Sequence, residues 1–420
     1  MSWNLAAHRR ASEFAATFID EHVDEMAFLL EHRLWLLHRR ASRWPDAAPF
    51  EVRLAAHLDA WNVYGPGARA RALEQVESVV HAQAPLDEDA VAASAFALGS
   101  ELEAPDAAAR LVAWIVRSPE ALLPAWERGL RMAAGEGLDL AMHAALERAP
   151  PSIAQMLIAT LGWRRQVQAD VVLREFAGRP LRVQETIALA LAKTGRSSAG
   201  PVLRTALARQ PDSVALASAL LALGDTTAWG HVRELASGRD PPPGVLRLLA
   251  MHGDLRDEEL LRRAPDSVET LGAMGILGSH GLVPDLLRRL SAAEHEPALA
   301  GAAADALERI AGAGLREVVQ ANAAEDGAAP VERVARDPER WSAFFDDNAS
   351  RFAEHGRYRS GRTFQPERCL DELAAPDSPF AWRTDAAEEW SLHTRRPMPF
   401  EPDSWVAAQR AALRMLGRTW

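Results

Sequence analysis

Ala190-Leu191-Ala192-Lys193-Thr194-Gly195 is followed at nearly constant distance by Ala219-Leu220-Leu221-Ala222-Leu223-Gly224 and Leu248-Leu249-Ala250-Met251-His252-Gly253. Ile276-Leu277-Gly278-Ser279-His280-Gly281 and Leu307-Glu308-Arg309-Ile310-Ala311-Gly312 continue the series. Each copy is a run of small and apolar residues ending in glycine, and the terminal glycines lie 29, 29, 28 and 31 positions apart. A period of this size marks an array of supersecondary units.

Each unit specifies two helices. Asp212-Ser213 and Asp266-Ser267 offer N-cap oxygens to the first. Val214, Ala217, Leu220 and Leu221 in one unit, and Leu299, Ala303, Leu307 and Ile310 in another, line one helical face. Glycine ends this helix because it enters the left-handed conformation without a Cβ clash. Pro201 and Pro284 open second helices, where the missing N–H costs nothing, with apolar faces such as Trp229, Val232, Leu235 and Ala236 or Val283, Leu286, Leu287 and Leu290. Weaker copies end at Gly99, Gly135 and Gly162. One helix pair cannot bury both apolar faces alone, so stacking on neighbours completes the core. The expectation is an all-α, HEAT-like helix-pair solenoid over residues 83–330; the fixed tryptophan and tyrosine pattern of tetratricopeptide repeats is missing.

Residues 1–82 predict an N-terminal helical cap, with Phe14, Phe18, Val23, Met26, Leu29, Leu30, Leu34, Trp35 and Leu37 on its helices and a break at 61–67. Glu31-His32-Arg33 and His38-Arg39-Arg40 read as solvated faces. Residues 331–420 predict an aromatic-rich C-terminal helical subdomain that holds Trp341, Phe344, Phe345, Phe352, Tyr358, Phe364, Phe380, Trp382, Trp390, Phe400, Trp405 and Trp420. Within it, Gly356 to Pro366 reads as an extended loop, Glu367 to Leu373 as a helix, and Pro402-Asp403-Ser404-Trp405 as the start of another running toward Met415.

Among 420 residues, 48% are apolar and 25% charged, the composition of an ordinary water-soluble chain. Cys369 is the single cysteine, which excludes an internal disulfide and fits a reducing, cytoplasmic setting. No apolar run suits a signal peptide or a membrane span, so no membrane insertion is expected. A net charge of −11 argues against nucleic acid as a partner. Lys193 is the only lysine, so cationic contacts fall to arginine, which favours bidentate carboxylate pairing and stacking on rings.

Gly356-Arg357-Tyr358-Arg359-Ser360-Gly361-Arg362, Gln365-Pro366-Glu367-Arg368-Cys369-Leu370, Trp390-Ser391-Leu392-His393 and Pro399-Phe400-Glu401-Pro402-Asp403-Ser404-Trp405-Val406 resemble motifs of an uncharacterised proteobacterial family with HEAT-like repeats. His22 to Leu29 is similar to its opening helix. Thr363-Phe364-Gln365-Pro366 departs from the family's loop, and Ala408-Gln409 stands for its usual Arg-Gln. Members are often encoded in type VI secretion loci. The resemblance implies that context and carries no catalytic residue across.

Residue patterns for chemistry are sparse. One cysteine and no H-E-x-x-H motif leave no expected metal site, and His295-Glu296 alone does not build a di-iron centre. Gly312-Ala313-Gly314 and Gly135-Glu136-Gly137 lack the third glycine and the preceding strand of a dinucleotide fingerprint. Ser94, Ser218 and Ser279 lie outside a nucleophile elbow. Cys369, beside Arg368, reads as an ordinary helix-start residue rather than as a nucleophile approached by His393. Asp87-Glu88-Asp89, Asp257-Glu258-Glu259 and Glu388-Glu389 suit helix starts and outer faces. No cofactor is expected.

Arg357, Tyr358, Arg359, Arg362, Phe364 and Trp405 remain as a candidate protein-binding set, since arginine and aromatics dominate binding hot spots. The plainer reading is that Tyr358 and Phe364 pin the tail onto the last repeat while the arginines pair with acidic helices. The reading is a non-catalytic scaffold or adaptor for a protein partner, a secretion-system component or an effector. An immunity protein that occludes a toxic effector is the alternative, and an enzyme of unrecognised type the third.

Overall fold

This computed structural model describes residues 2–40, 42–80, 87–101, 105–135, 137–293, 295–320, 330–353 and 355–418. Glu136, Trp420 and the side chain of Phe14, all part of the sequence reading, lie outside what is described. The chain divides into two compact units. One comprises residues up to Ala199 with the returning segment Pro399–Gly417, and the other Gly200–Met398 with Arg418. Both are built of helices, and the described residues add only two short antiparallel ladders.

The first unit runs through α1 (Ser2–His38), α2 (Ala48–Val63), α3 (Pro66–Val80), α4 (Glu88–Gly99), α5 (Pro105–Ile115), α6 (Leu123–Met132), α7 (Leu138–Leu146), α8 (Pro151–Trp163), α9 (Ala169–Glu175) and α10 (Leu181–Lys193). Alternate helices are neighbours: α4 packs on α6, α6 on α8 and α8 on α10, while α5 packs on α4 and α7, and α7 on α8. The small residues of the signature explain the close approach. A Cβ at Gly162 of α8 would lie 2.7 Å from the Cβ of Ala190 on α10. α1 closes this unit against α2, α3 and α4, burying Val23, Met26, Leu29 and Leu30.

The second unit continues with α11 (Gly200–Arg209), α12 (Val214–Ala222), α13 (Ala228–Ala236), α14 (Val245–His252), α15 (Glu258–Arg263), α16 (Val268–Leu277), α17 (Val283–Ala292) and α18 (Pro297–Ala311). α14 packs on α16 and α16 on α18, again through small residues: a Cβ at Gly275 would sit 2.8 Å from the Cα of Ala306. Ser213 and Ser267 accept the N–H groups of Leu216 and Thr270 at 3.2 and 3.0 Å, the expected N-caps. Gly195, Gly224, Gly253 and Gly312 take positive φ of 67°, 92°, 74° and 55° at the expected helix ends. In the fourth copy the capping glycine is Gly278 (φ 68°) rather than Gly281, which lies in the single turn His280–Leu282.

The all-α expectation is met except after α18. There β1 (Arg316–Gln320) pairs antiparallel with β2 (Pro330–Val334), each rich in β-branched valine. α19 (Pro338–Asp347) follows, then β3 (Tyr358–Arg359), β4 (Arg362–Thr363), α20 (Pro366–Ala374), α21 (Phe380–Thr394) and finally α22 (Val406–Met415) in the first unit. The tail aromatics gather into a satellite core: Trp341, Phe345, Phe352 and Tyr358 are buried, with His280 stacked on Phe352 at 5.5 Å. Among the described residues no helix is long and apolar enough to cross a membrane.

Candidate functional site

The Gly356–Arg362 motif forms a tight hairpin on the second unit. Ser360 and Gly361 both take positive φ (50° and 70°), the geometry that reverses a two-residue hairpin. Its backbone then satisfies helix-end carbonyls that would otherwise lack donors. Tyr358 N–H donates to Gly278 O at 2.7 Å, Ser360 N–H to Arg309 O and Gly361 N–H to Ile310 O, both at 2.8 Å. Arg357 Nε donates to Leu277 O at 2.8 Å and Arg359 Nη2 to Ile276 O at 3.1 Å.

Beneath the hairpin lies a buried arginine–carboxylate network. Arg359, 1% exposed, donates to Glu372 and, at 2.7 Å, to Glu389. Arg357 pairs with the other oxygen of Glu389. Arg309 donates to Glu372 at 2.9 and 3.0 Å and to Asp385 at 2.7 Å. Arg247 of α14 reaches Asp385 and Glu388 at 2.6 Å each, and Ser218 of α12 donates to Glu388 at 3.0 Å. Helix α21 is thereby fastened across α12, α14 and α18. Burial alone would push the Glu389 carboxyl up; Arg359 and Arg357 outweigh it and hold it below the usual range. Burial also opposes the charge on both arginines, prevailing at Arg357 but overcome at Arg359 by Glu372 and Glu389.

Of the six residues singled out by sequence, five thus lie on one hairpin and its flank. Tyr358 and Arg359 are buried, Arg357 is nearly so, and Phe364 is half-buried under the Arg357 guanidinium at 3.5 Å from the ring centroid. Arg362 alone is exposed. Trp405 belongs to the other unit, where its Nε1 donates to Met132 O at 3.3 Å and its ring lies 6.2 Å from Phe96.

The Pro399–Val406 motif is the counterpart in the first unit. Phe400 is buried, Glu401 pairs with Arg165 at 2.8 Å and Lys193 at 3.1 Å, and Trp163 Nε1 donates to Asp403 at 2.7 Å. Glu51 of α2 accepts Val406 N–H at 3.0 and 2.8 Å, placing a carboxylate at the start of α22. Arg33 holds Glu51 at 2.7 Å and donates to the carbonyls of Asp403 and Ser404 at 2.9 and 2.7 Å. Arg33, expected on a solvated face, is buried because this returning segment covers it.

A cleft of about 300 Å³ opens on α4, α6 and α8 beside this segment. Leu30, Leu34 and Trp163 supply its apolar wall, while Arg128 and Arg131 from α6 and Asp403 supply charge. Arg128 faces Asp89 at 3.2 Å, and Arg131 pairs with Glu127 and lies 3.6 Å from Asp403. Both signs alternate along the wall, which suits a peptide surface carrying both signs and does not concentrate the positive potential an isolated anion requires.

Elsewhere the chemistry-bearing side chains are engaged with one another. Burial raises the Cys369 thiol pKa, and its polar neighbour is Glu389 at 3.6 Å; His393 instead lies 3.5 Å from Arg357. Ser279 is hydrogen-bonded to Glu258. Among the described residues one trio of potential metal ligands, His252, Asp254 and Asp257, has no signature in the sequence because the residues flank the capping Gly253 outside any ligand motif. Arg233 donates to Asp254 at 2.6 Å and to Asp257 at 2.8 and 3.1 Å, supplying the positive charge a cation would bring. No protein-family model, no curated protein and no solved structure matches this chain.

Proposed function

We propose that this chain is a HEAT-like helix-pair scaffold, non-catalytic, that holds a protein partner in the cleft of its first unit. The partner belongs to the type VI secretion setting that the tail motifs imply, as a component or an effector. One observation carries this reading: α4, α6 and α8 leave an open, mixed-charge cleft between them and α1, whereas in the second unit α21 is fastened across α12, α14 and α18. Helix-pair arrays bind macromolecules along such faces.

The tail arginines serve the second unit's own cohesion on this account, and the cleft replaces them as the binding element. The test is capture of partners from the native cell by the tagged full chain, followed by calorimetry with the purified partner. Leu34→Asp with Arg128→Glu should weaken binding by roughly 2–4 kcal/mol, the scale of interface hot spots, while Arg362→Ala leaves it unchanged. Equal affinity for the cleft variant, with its circular dichroism intact, would sink the proposal. If the captured protein is a toxin whose activity the chain blocks, the scaffold acts as an immunity protein through the same cleft.

A further inference from the structure

Helix α1 presents a second face that its own unit leaves open. Phe28 is 49% and Trp35 48% exposed. His32 stands between them, its ring centroid 5.3 Å from Phe28 and 5.1 Å from Trp35, with interplanar angles of 20° and 28°. Phe50 of α2 backs His32 at 4.8 Å, and the Arg39 guanidinium lies over Trp35 at 4.7 Å. The positions 28, 32, 35 and 39 repeat by four and three, the spacing of a helix–helix seam. The sequence reading placed His32 and Arg39 on solvated faces and missed that they complete an aromatic ladder.

Charge is polarised along this ladder. Exposed Glu21 and Asp24 lie toward its N-terminal end, and exposed Arg39 and Arg40 at its C-terminal end. Burial and the neighbouring carboxylates of Asp20 and Asp87 hold the Asp24 carboxyl above its ordinary value. A partner for the ladder must therefore be apolar at its centre, basic beside Asp24 and acidic beside Arg39.

We infer that the occupant is a second copy of this chain, with α1 packed antiparallel on α1 about a two-fold axis between Glu31 and His32. Positions equidistant from the axis then face each other. Phe28 meets Trp35 of the second copy, and Asp24 meets its Arg39, twice over by symmetry. A two-fold contact requires such self-complementarity, and the stripe supplies it residue by residue. A parallel arrangement would instead set Asp24 against Asp24 and Arg39 against Arg39.

The test is sedimentation of the full chain over a concentration series, where the account expects a species of twice the 45.8 kDa chain mass. Phe28→Asp should abolish it. Asp24→Arg and Arg39→Asp should each weaken it roughly tenfold or more, and the double variant should restore it, because both swapped pairs are opposite in sign again. Circular dichroism checks that each variant is folded. A short bis-maleimide then reads the geometry: Glu31→Cys should cross-link between copies. Glu21→Cys should not, its two copies lying about 30 Å apart along the helix axis. Native Cys369 is buried and stays silent. A monomer at every concentration overturns the inference and leaves the stripe to a different protein. Failure of the double reversal to restore the dimer, or cross-linking through Glu21→Cys, overturns it as well.

Discussion

Glu389 is fully buried and carries two guanidiniums, Arg357 and Arg359, on its two oxygens. Removing one partner of a buried ion pair strands the others without water, at about 3–5 kcal/mol. Glu389→Gln should lose that much in urea unfolding, whereas Arg362→Ala on the exposed strand should stay within about 0.5 kcal/mol. Arginine replacements at 357 and 359 would likewise unfold the second unit before they reported on any partner. The pH dependence follows from the lowered carboxyl pKa. Because the folded value is below the unfolded one, the stabilisation from Glu389 is complete above the unfolded value of about 4.3. It is lost as pH falls through the lowered folded value. Acid titration monitored by tryptophan fluorescence should show this loss in the wild type. Glu389→Gln, starting less stable, should show a shallower dependence on pH.

At the scale of elements, the capping glycines differ in what surrounds them. Gly224 needs only its positive φ, since a Cβ there would meet nothing nearer than Arg395 Cδ at 3.6 Å. A Cβ at Gly278 would run into the Tyr358 carbonyl. Gly224→Ala should therefore cost about 1–2 kcal/mol, and Gly278→Ala clearly more, because the hairpin must also shift. Comparison of urea midpoints checks this. The helix pairs were legible in sequence because their determinants are local: serine caps, glycine stops and an apolar period. In sequence Gly281 suits the fourth stop as well as Gly278 does, because both belong to the same small-residue run. Only the hairpin donating to Gly278 O distinguishes them, and that contact joins residues far apart in the chain. β1 and β2 were missed for the same reason, since their pairing is non-local. Of the candidate site, the sequence shows the hairpin residues as a group and admits arginine pairing with acidic helices, but Glu372 and Glu389 are identified as the partners only by the packing of later helices.

At the scale of the whole chain, the two most distinctive tail motifs turn inward. Gly356–Arg362 ties the ends of α16 and α18 to α21 in the second unit. Pro399–Val406 ties α22 to α2, α6 and α8 in the first, through Glu51, Met132 and Trp163. The first motif brings arginines to buried carboxylates and the second brings carboxylates to arginines, and each adds aromatic side chains, because each must fasten backbone and buried charge at once. Hydrogen exchange on the full chain tests this division most directly. Trp405→Ala with Glu51→Gln should speed exchange in α1, α2 and α22 and leave residues 357–363 and the ends of α16 and α18 protected. Glu389→Gln should do the reverse. If either variant loosens both sets alike, or neither, the motifs are not separate clasps and the account of the tail is contradicted.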